Sequence, residues 1–350
     1  MPDIQMRFNK DMLVLSAPVD ATLARQGVDV ARDRQYLNLM EPDVMLDAFR
    51  LEDMAGAQCL VAPTEDLTQA RLAHVRMDGD AEKLAKAAVD IVLQLKPQHV
   101  LAEIGPCGLP LDASSKTSLN ENRSQYADAA RVLDAQPIDA LFLNGFTNLE
   151  DLRCALMGVS QVSGKPIFAS VLLGEEGTPA ALREKTAPVE SGSTTPDEHV
   201  LENIGPAASF CGYELADEEP FAGADMRRRP LAPDCWPQAV ALMEDLGAAV
   251  VGFETAEPTF KAVEYAKQAV RATGLPILAQ LRVTVDPSQK RPASLKPLED
   301  ILDYTPDTMA PAAVKLYGAG VQFLRATGKA TPSFTGALAA TVYGLDVRDI

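Results

Sequence analysis

The sequence has few cysteines, and no two of them form a close pair. The five cysteines stand at positions 59, 107, 154, 211 and 235 and include no CxxC motif. Disulfide scaffolds and structural zinc motifs depend on such pairs, so the pattern indicates a chain that is kept reduced. No apolar run approaches the roughly 18 residues that a membrane span requires, and the first residues show no secretion signal. We therefore expect a cytoplasmic protein with no membrane segment.

Basic residues are too scarce to balance the acidic ones. Lys and Arg number 32 against 49 Asp and Glu, which gives a formal net charge of −17. This charge would repel a nucleic-acid backbone, and the basic triplet at 227–229 is too short to oppose it. The sequence also lacks the GxGxxG, HExxH and GxSxG strings, so the common nucleotide-binding, metalloprotease and hydrolase motifs have no support. We expect no nucleic-acid partner.

Apolar residues are plentiful and follow two alternating patterns. They make up 47% of the chain, which is enough for a large buried core. Short apolar runs predict strands, and longer stretches with an apolar residue at every third or fourth position predict helices. The predicted strands cover residues 12–15, 59–62, 100–103, 140–143, 166–170, 249–253, 276–279 and 322–324.

Eight strand–helix units predict one domain over residues 1–350, in the form of a (β/α)8 barrel, also called a TIM barrel. The barrel is the most economical solution, because eight units of this length are what a closed parallel sheet requires. An open, doubly wound sheet would show a similar alternation and is the other architecture that the pattern allows.

One segment interrupts the alternation. Residues 174–234 hold seven prolines and six glycines, with thirteen acidic against five basic residues. Such a composition buries little apolar surface, so we predict a long acidic insertion after the fifth strand. Loops after barrel strands rise from the catalytic face, where the insertion would form a lid or a partner surface. A surface excursion without a function is the alternative.

Several stretches share their order and spacing with a known family. They are Leu39-Met40-Glu41-Pro42-Asp43 through Ala55-Gly56-Ala57, Ile104-Gly105-Pro106, Gly247 to Phe253, Asp307-Thr308-Met309 and Phe323 to Pro332. In these stretches the sequence resembles the homocysteine S-methyltransferase family, which includes the homocysteine-binding barrel of cobalamin-dependent methionine synthase and betaine-homocysteine methyltransferase. The resemblance covers the chain outside residues 174–234 and implies a (β/α)8 barrel with a role in one-carbon metabolism.

The resemblance also implies a zinc site, but the residues that would form it differ here. Family members hold zinc with three cysteines and bind homocysteine as a thiolate in the fourth position. Thr255, Thr327 and Gly328 occupy these three positions, and neither threonine nor glycine offers a soft anionic ligand. We therefore expect a divergent member with no zinc and no other cofactor. The alternative is a zinc site with relocated ligands, drawn from Cys107, His199 and Cys211.

Polar residues stand at the predicted strand ends, where a barrel places its active site. They are Glu103, Asn144, Ser170, Glu254, Gln280, Arg282 and Arg325, with Lys329 nearby. The resemblance aligns Asn144 with the glutamate that grips the amino acid substrate, and a shifted register would give that role to Glu254. Arg325, with Lys329 and the backbone of Gly328, is placed to bind a small anion. Alternatively, Arg282 and Arg325 pair with Glu254 and Glu103 inside the protein.

Three functions are compatible with these observations. In the first, the chain takes part in methyl transfer without zinc-thiolate activation, by binding a methylated donor or a corrinoid protein at the barrel mouth. In the second, it is a non-catalytic partner or regulatory subunit of a methyltransferase, with residues 174–234 as the contact surface. In the third, it is an active zinc methyltransferase with relocated ligands. The fold alone does not choose among them, since one barrel supports many chemistries.

Overall fold

The chain folds into a barrel of eight parallel strands. In this computed structural model, residues 3–174, 229–284 and 304–346 are described. The strands are β1 (Leu13–Val14), β2 (Cys59–Ala62), β3 (His99–Ile104), β4 (Ala140–Phe146), β5 (Ile167–Leu173), β6 (Val250–Thr255), β7 (Ile277–Val283) and β8 (Val321–Gly328). All eight predicted strands are confirmed. Strands β3 to β8 continue past their predicted ends, and β7 and β8 do so by four residues each, beyond 279 and 324. In β7 and β8, inward-facing polar residues interrupt the apolar pattern.

Hydrogen bonds between neighbouring strands close the sheet into a ring. The strand order is β1-β8-β7-β6-β5-β4-β3-β2, and every pairing is parallel. The remaining edges, β1 and β2, meet through a bridge between Leu15 and Cys59. Next to it, the Gln58 N–H donates to the Val14 carbonyl at 3.0 Å. The sheet is therefore a barrel, and the open doubly wound alternative is wrong.

Helices cover the outside of the barrel. In the described residues they are α1 (Asp20–Arg25), α2 (Val30–Met40), α3 (Pro42–Met54), α4 (Gln69–His74), α5 (Ala81–Leu93), α6 (Lys116–Asp134), α7 (Leu149–Ser160), α8 (Trp236–Asp245), α9 (Thr259–Ala272), α10 (Pro306–Tyr317) and α11 (Pro332–Asp346). Their apolar faces pack on the outer face of the sheet and form the larger core. None of these described helices has both the length and the apolar character needed to cross a membrane.

The lower part of the barrel interior is an apolar, aromatic layer. Successive side chains of a strand point to opposite faces, so every second residue points inward. The ring centres of Phe168 and Phe323 lie 4.9 Å apart at the middle of this layer. Phe8, which follows the short N-terminal 3-10 helix Ile4–Arg7, packs against both rings from below. The inward-facing members on five of the strands are Leu101, Phe142, Phe168, Leu278 and Phe323.

A polar layer lies directly above this apolar layer. Two positions further along the same five strands stand Glu103, Asn144, Ser170, Gln280 and Arg325. Because the pleat repeats every two residues, these side chains also point inward, one layer closer to the carboxyl ends of the strands. The fold therefore gathers five of the polar residues predicted at the strand ends.

The predicted insertion leaves and rejoins the barrel at one place. Leu173, at the end of β5, forms a parallel bridge with Leu231, whose N–H donates to the Leu172 carbonyl at 2.7 Å. Both ends of the segment therefore lie at the carboxyl end of β5. Residues 175–228 and 285–303 lie outside the described part of the chain, so the lid or partner surface stays a prediction.

Candidate functional site

Arg325 is the centre of a buried polar ring at the barrel mouth. It projects inward from β8 and is 2% exposed. Its Nη1 and Nη2 both donate to Glu103 Oε2 at 3.1 Å, and its Nε donates to the Ser16 carbonyl at 2.9 Å. The guanidinium carbon also lies 5.4 Å from the centre of the Phe142 ring, which is a cation–π contact. The predicted ion pair between Arg325 and Glu103 is confirmed.

Two amide side chains complete the ring. Asn144 Nδ2 donates to Glu103 Oε1 at 2.7 Å, and Gln280 Nε2 donates to Asn144 Oδ1 at 2.7 Å. Gln280 Nε2 also donates to Ser170 Oγ at 2.8 Å, while Gln280 Oε1 accepts from Arg325 Nη1 at 3.3 Å. The hydrogen bonds therefore run from Arg325 through Glu103, Asn144 and Gln280 back to Arg325. All of these side chains are buried.

The buried charges of Glu103 and Arg325 stabilise each other by pairing. A carboxylate or guanidinium left without a partner at this depth costs several kcal/mol. Both carboxylate oxygens of Glu103 and all three side-chain nitrogens of Arg325 have partners in the ring or on the Ser16 carbonyl. An anion that bound to Arg325 would consequently have to displace Glu103.

A second polar cluster lies one layer further toward the mouth. Glu254 Oε1 accepts from Thr327 Oγ1 at 2.7 Å and from Arg282 Nη1 at 3.1 Å. The predicted pair between Arg282 and Glu254 is therefore confirmed. The exposed fraction is 12% for the Arg282 side chain and 7% for that of Glu254. Both bonds from described residues go to Oε1, which leaves Oε2 of Glu254 as an acceptor.

The three positions aligned with the family's zinc ligands are tightly packed. Thr255 is fully buried at the end of β6, and Thr327 is held by Glu254. Gly328 has a φ of +67°, and a Cβ at this residue would lie 2.5 Å from the Val283 carbonyl oxygen. Any side chain at position 328 would therefore force the neighbouring strand to move. Lys329, the next residue, is exposed.

Cys107 packs against α6. It is 2% exposed, its Sγ donates to Asn122 Oδ1 at 3.1 Å, and its N–H donates to the Tyr126 hydroxyl at 2.8 Å. Burial raises the pKa of the Cys107 thiol to about 11, so the thiol stays protonated at neutral pH. The other two candidate ligands, His199 and Cys211, lie outside the described residues. Within the residues that are described, no group of three His, Cys, Asp or Glu side chains could hold a metal ion.

Glu52 is a buried acid that the sequence analysis missed. Its Oε2 accepts from the Ala17 N–H at 2.9 Å and from Thr335 Oγ1 at 2.6 Å, so it joins the loop after β1 to α11. Burial raises the pKa of the Glu52 carboxyl to about 7, although the bonds from Thr335 and Ala17 lower it. Position 52 falls on the apolar face of α3 with Met45 and Phe49. A glutamate at helical spacing from apolar residues was the signal that could have found it.

The closed parallel sheet, with polar side chains gathered at the carboxyl ends of its strands, places the chain in the class of (β/α)8 barrel proteins. A model of the homocysteine S-methyltransferase family matches residues 14–208, which is more than half of the chain. The protein belongs to this family. Family and fold together support a methyl-transfer function.

Solved structures confirm the fold. The metallated form of the homocysteine methyltransferase MmuM from Escherichia coli is similar with a TM-score of 0.64 at 13% identity, over 95% of this chain and 96% of that one. The apo form of the same enzyme has a TM-score of 0.58 at 12% identity, over 95% of this chain and 97% of that one. At such low sequence identity, the similarity supports a shared fold and does not extend to function. No curated protein sequence matches the chain.

Removing Arg325 from the ring should destabilise the protein strongly. In Arg325→Met the Glu103 carboxylate stays buried without its cation, which costs about 3 to 5 kcal/mol of unfolding free energy. Adding Glu103→Gln removes the uncompensated charge, so the double variant should be more stable than Arg325→Met alone. Urea unfolding of the wild type, both single variants and the double variant measures this coupling. Strictly additive losses would show that the two side chains are not a coupled pair.

The raised pKa of Glu52 should make stability depend on pH. A carboxyl with a higher pKa in the folded state binds its proton more tightly there, so its stabilising effect is complete below about pH 4.5. The effect is then lost as the pH rises to about 7, and the loss amounts to about 3 kcal/mol. Urea unfolding across this range should show the decline in the wild type relative to Glu52→Gln, in which position 52 does not titrate. Parallel pH profiles of the two proteins would contradict the assignment.

Proposed function

We propose that this chain takes part in methyl transfer at its barrel mouth without activating a thiol through zinc. The observation that carries the proposal is the cluster of Glu254, Arg282 and Thr327, which occupies the strand ends where the family holds its metal. The proposal keeps the family's methyl chemistry and changes the way in which the reacting groups are held. A methylated donor, or a corrinoid protein that carries the methyl group, would bind at this mouth.

The residues at the mouth do not fit a zinc ion. Zinc in this family requires three thiolates, and threonine hydroxyls and a glycine replace them. Cysteine cannot be accommodated at Gly328 unless β7 moves, because of the contact with the Val283 carbonyl. The Arg282 guanidinium lies 3.1 Å from Glu254 and partly neutralises that carboxylate, so a divalent cation placed there would keep most of its charge uncompensated.

Glu254 is instead suited to a monovalent methylated cation. Its carboxylate is largely buried, where an electrostatic attraction is stronger than in bulk water. Its Oε2 carries no bond from the described residues, whereas Oε1 is fixed by Thr327 and Arg282. A sulfonium or quaternary ammonium group needs only one such oxygen, because it has no N–H or O–H to satisfy. Glu254 would position the cation, and the apolar and aromatic layer below would limit access of water.

A non-catalytic role is the second candidate, and the closed hydrogen-bond ring favours it. Every side-chain nitrogen of Arg325, Asn144 and Gln280 donates at least one hydrogen bond, either within the ring or to the Ser16 carbonyl. The described residues of the ring and of the Glu254 cluster include no cysteine that could hold the zinc through which the family binds its thiol substrate. In this case the barrel would act as a partner or regulatory subunit of a methyltransferase system. The relocated zinc site has less support, since its one described member, Cys107, is a buried, protonated thiol.

The purified protein should not retain zinc. After incubation with zinc and gel filtration, without a histidine tag, elemental analysis is expected to find far less than one zinc per chain, because three thiolate ligands are missing. About one zinc per chain would overturn the proposal. The variant Cys107→Ser would then show whether the ligands have been relocated, since loss of that zinc would place Cys107 in the site.

The wild type should bind a small methylated cation at Glu254. Trimethylsulfonium is a suitable probe, and calorimetric titration is expected to show saturable binding. In Glu254→Gln the affinity should fall roughly tenfold or more, because a charged partner is replaced by a neutral one of the same shape. Glu150→Gln, on the exposed face of α7, is the matched control and should bind as the wild type does. No binding by the wild type would favour the non-catalytic role.

A further inference from the structure

A small cavity lies beside the mouth, between the loop after β1 and the loop after β2. Its volume is about 50 Å³. One water molecule needs roughly 10 to 15 Å³ of such space, so a ligand of about four non-hydrogen atoms fits inside. Glu103 and Arg325 line the cavity, which therefore adjoins the polar ring. The apolar part of its wall includes side chains from five helices: Leu23, Leu37, Met45, Phe49, Leu72 and Leu84.

Asn38 gives the lining of this cavity a buried hydrogen-bond acceptor. The residue is 5% exposed, and its Nδ2 donates to the Pro63 carbonyl at 3.3 Å. This bond sets the orientation of the amide, since only the nitrogen can donate to a carbonyl. Asn38 Oδ1 is buried and accepts no hydrogen bond from a described residue. A buried acceptor of this kind is costly to leave unpaired, so a ligand that donates a hydrogen bond would be stabilised there.

A neutral ligand suits the cavity better than an ion does. Burying an ion is costly unless a group of opposite charge pairs with it. The charged residues of the described lining already have partners: Glu103 pairs with Arg325, and Asp66 pairs with Arg71 at 2.7 Å. The other two lining acids, Asp20 and Glu65, have interactions of their own as well. The amide oxygen of Asn38 is uncharged, so a neutral donor can satisfy it without the burial of another charge.

We infer that this cavity binds a small neutral alcohol. The hydroxyl donates to Asn38 Oδ1, and the carbon chain packs against Leu23, Met45 and Phe49, where its burial is favourable. A hydroxyl is the neutral donor with the fewest atoms, so it leaves most of the limited volume to the carbon chain. The inference does not depend on methyl transfer, because the ligand is recognised through its O–H and its apolar chain.

Isopropanol is the probe that tests the inference, and three molecules of the same size and branching are its matched comparisons. Acetone is neutral but cannot donate, isopropylammonium is a cation, and acetate is an anion. Titration of the purified protein at pH 7, followed by saturation-transfer NMR of the probe, is expected to show saturable binding of isopropanol. Each of the other three should bind roughly fivefold more weakly or worse, because it lacks the donor or buries a charge. Equal or tighter binding of any of the three, or no saturable binding of isopropanol, would overturn the inference.

Two variants locate the alcohol within the cavity. Asn38→Leu removes the acceptor, so isopropanol should bind about fivefold more weakly and lose its advantage over acetone. Leu23→Phe should fill the apolar part and abolish isopropanol binding while Asn38 stays intact. Thr68→Val is the matched control and should bind as the wild type does, because the Thr68 hydroxyl is also buried without a hydrogen bond to a described residue but does not line the cavity. Unchanged affinity in Leu23→Phe would overturn the inference even if Asn38→Leu failed to fold.

Trimethylsulfonium separates this inference from the proposed methyl-transfer site. It has no O–H group to donate, so Asn38→Leu should leave its affinity unchanged, and Glu254→Gln should leave that of isopropanol unchanged. If Glu254→Gln weakened isopropanol as much as Asn38→Leu does, the two sites would be one, and the inference of a separate alcohol site would be overturned.

Discussion

The burial of Arg325 inside a closed barrel is the constraint on which the mouth of this protein depends. A guanidinium that is 2% exposed has almost no water to solvate it, so the protein must supply its partners. Glu103 supplies the opposite charge, and the Ser16 carbonyl and Gln280 supply further oxygens. These partners come from the ends of β1, β3 and β7. One buried charge thereby holds strand ends from different sides of the barrel in a fixed relation.

The layer below the ring explains why these contacts are strong. Phe142, Phe168 and Phe323 fill the interior under the polar side chains and exclude water from that side. Charged hydrogen bonds are strengthened in such a setting, and an unpaired member costs correspondingly more. Both layers follow from one feature of the sequence. In five of the strands, an inward-facing apolar residue is followed two positions later by an inward-facing polar residue. The apolar layer therefore separates the ring from the bottom of the barrel.

The parts of this arrangement that depend on local pattern could be predicted, and those that depend on register could not. The prediction of β7 was correct up to residue 279. It stopped there because Gln280 and Arg282 do not continue an apolar run. The ion pairs of Arg282 and Arg325 could be predicted because few other acids stand at strand ends. The bond between Asn144 and Gln280 joins residues 136 positions apart. Nothing in the sequence near either residue indicates that the barrel brings them together.

Charge balance connects the site to the proposed function. The pair of Glu254 and Arg282 sums to zero, so a divalent metal at this place would find no compensation from either residue. A monovalent cation requires less compensating negative charge. Glu254 Oε2 is available to it, because Thr327 and Arg282 donate only to Oε1. The family uses zinc to give the sulfur of the methyl acceptor a negative charge. A mouth of the kind found here would act instead on the methyl donor. Glu254 Oε2, which accepts no hydrogen bond from a described residue, favours holding the methylated cation in place over generating the thiolate that attacks it.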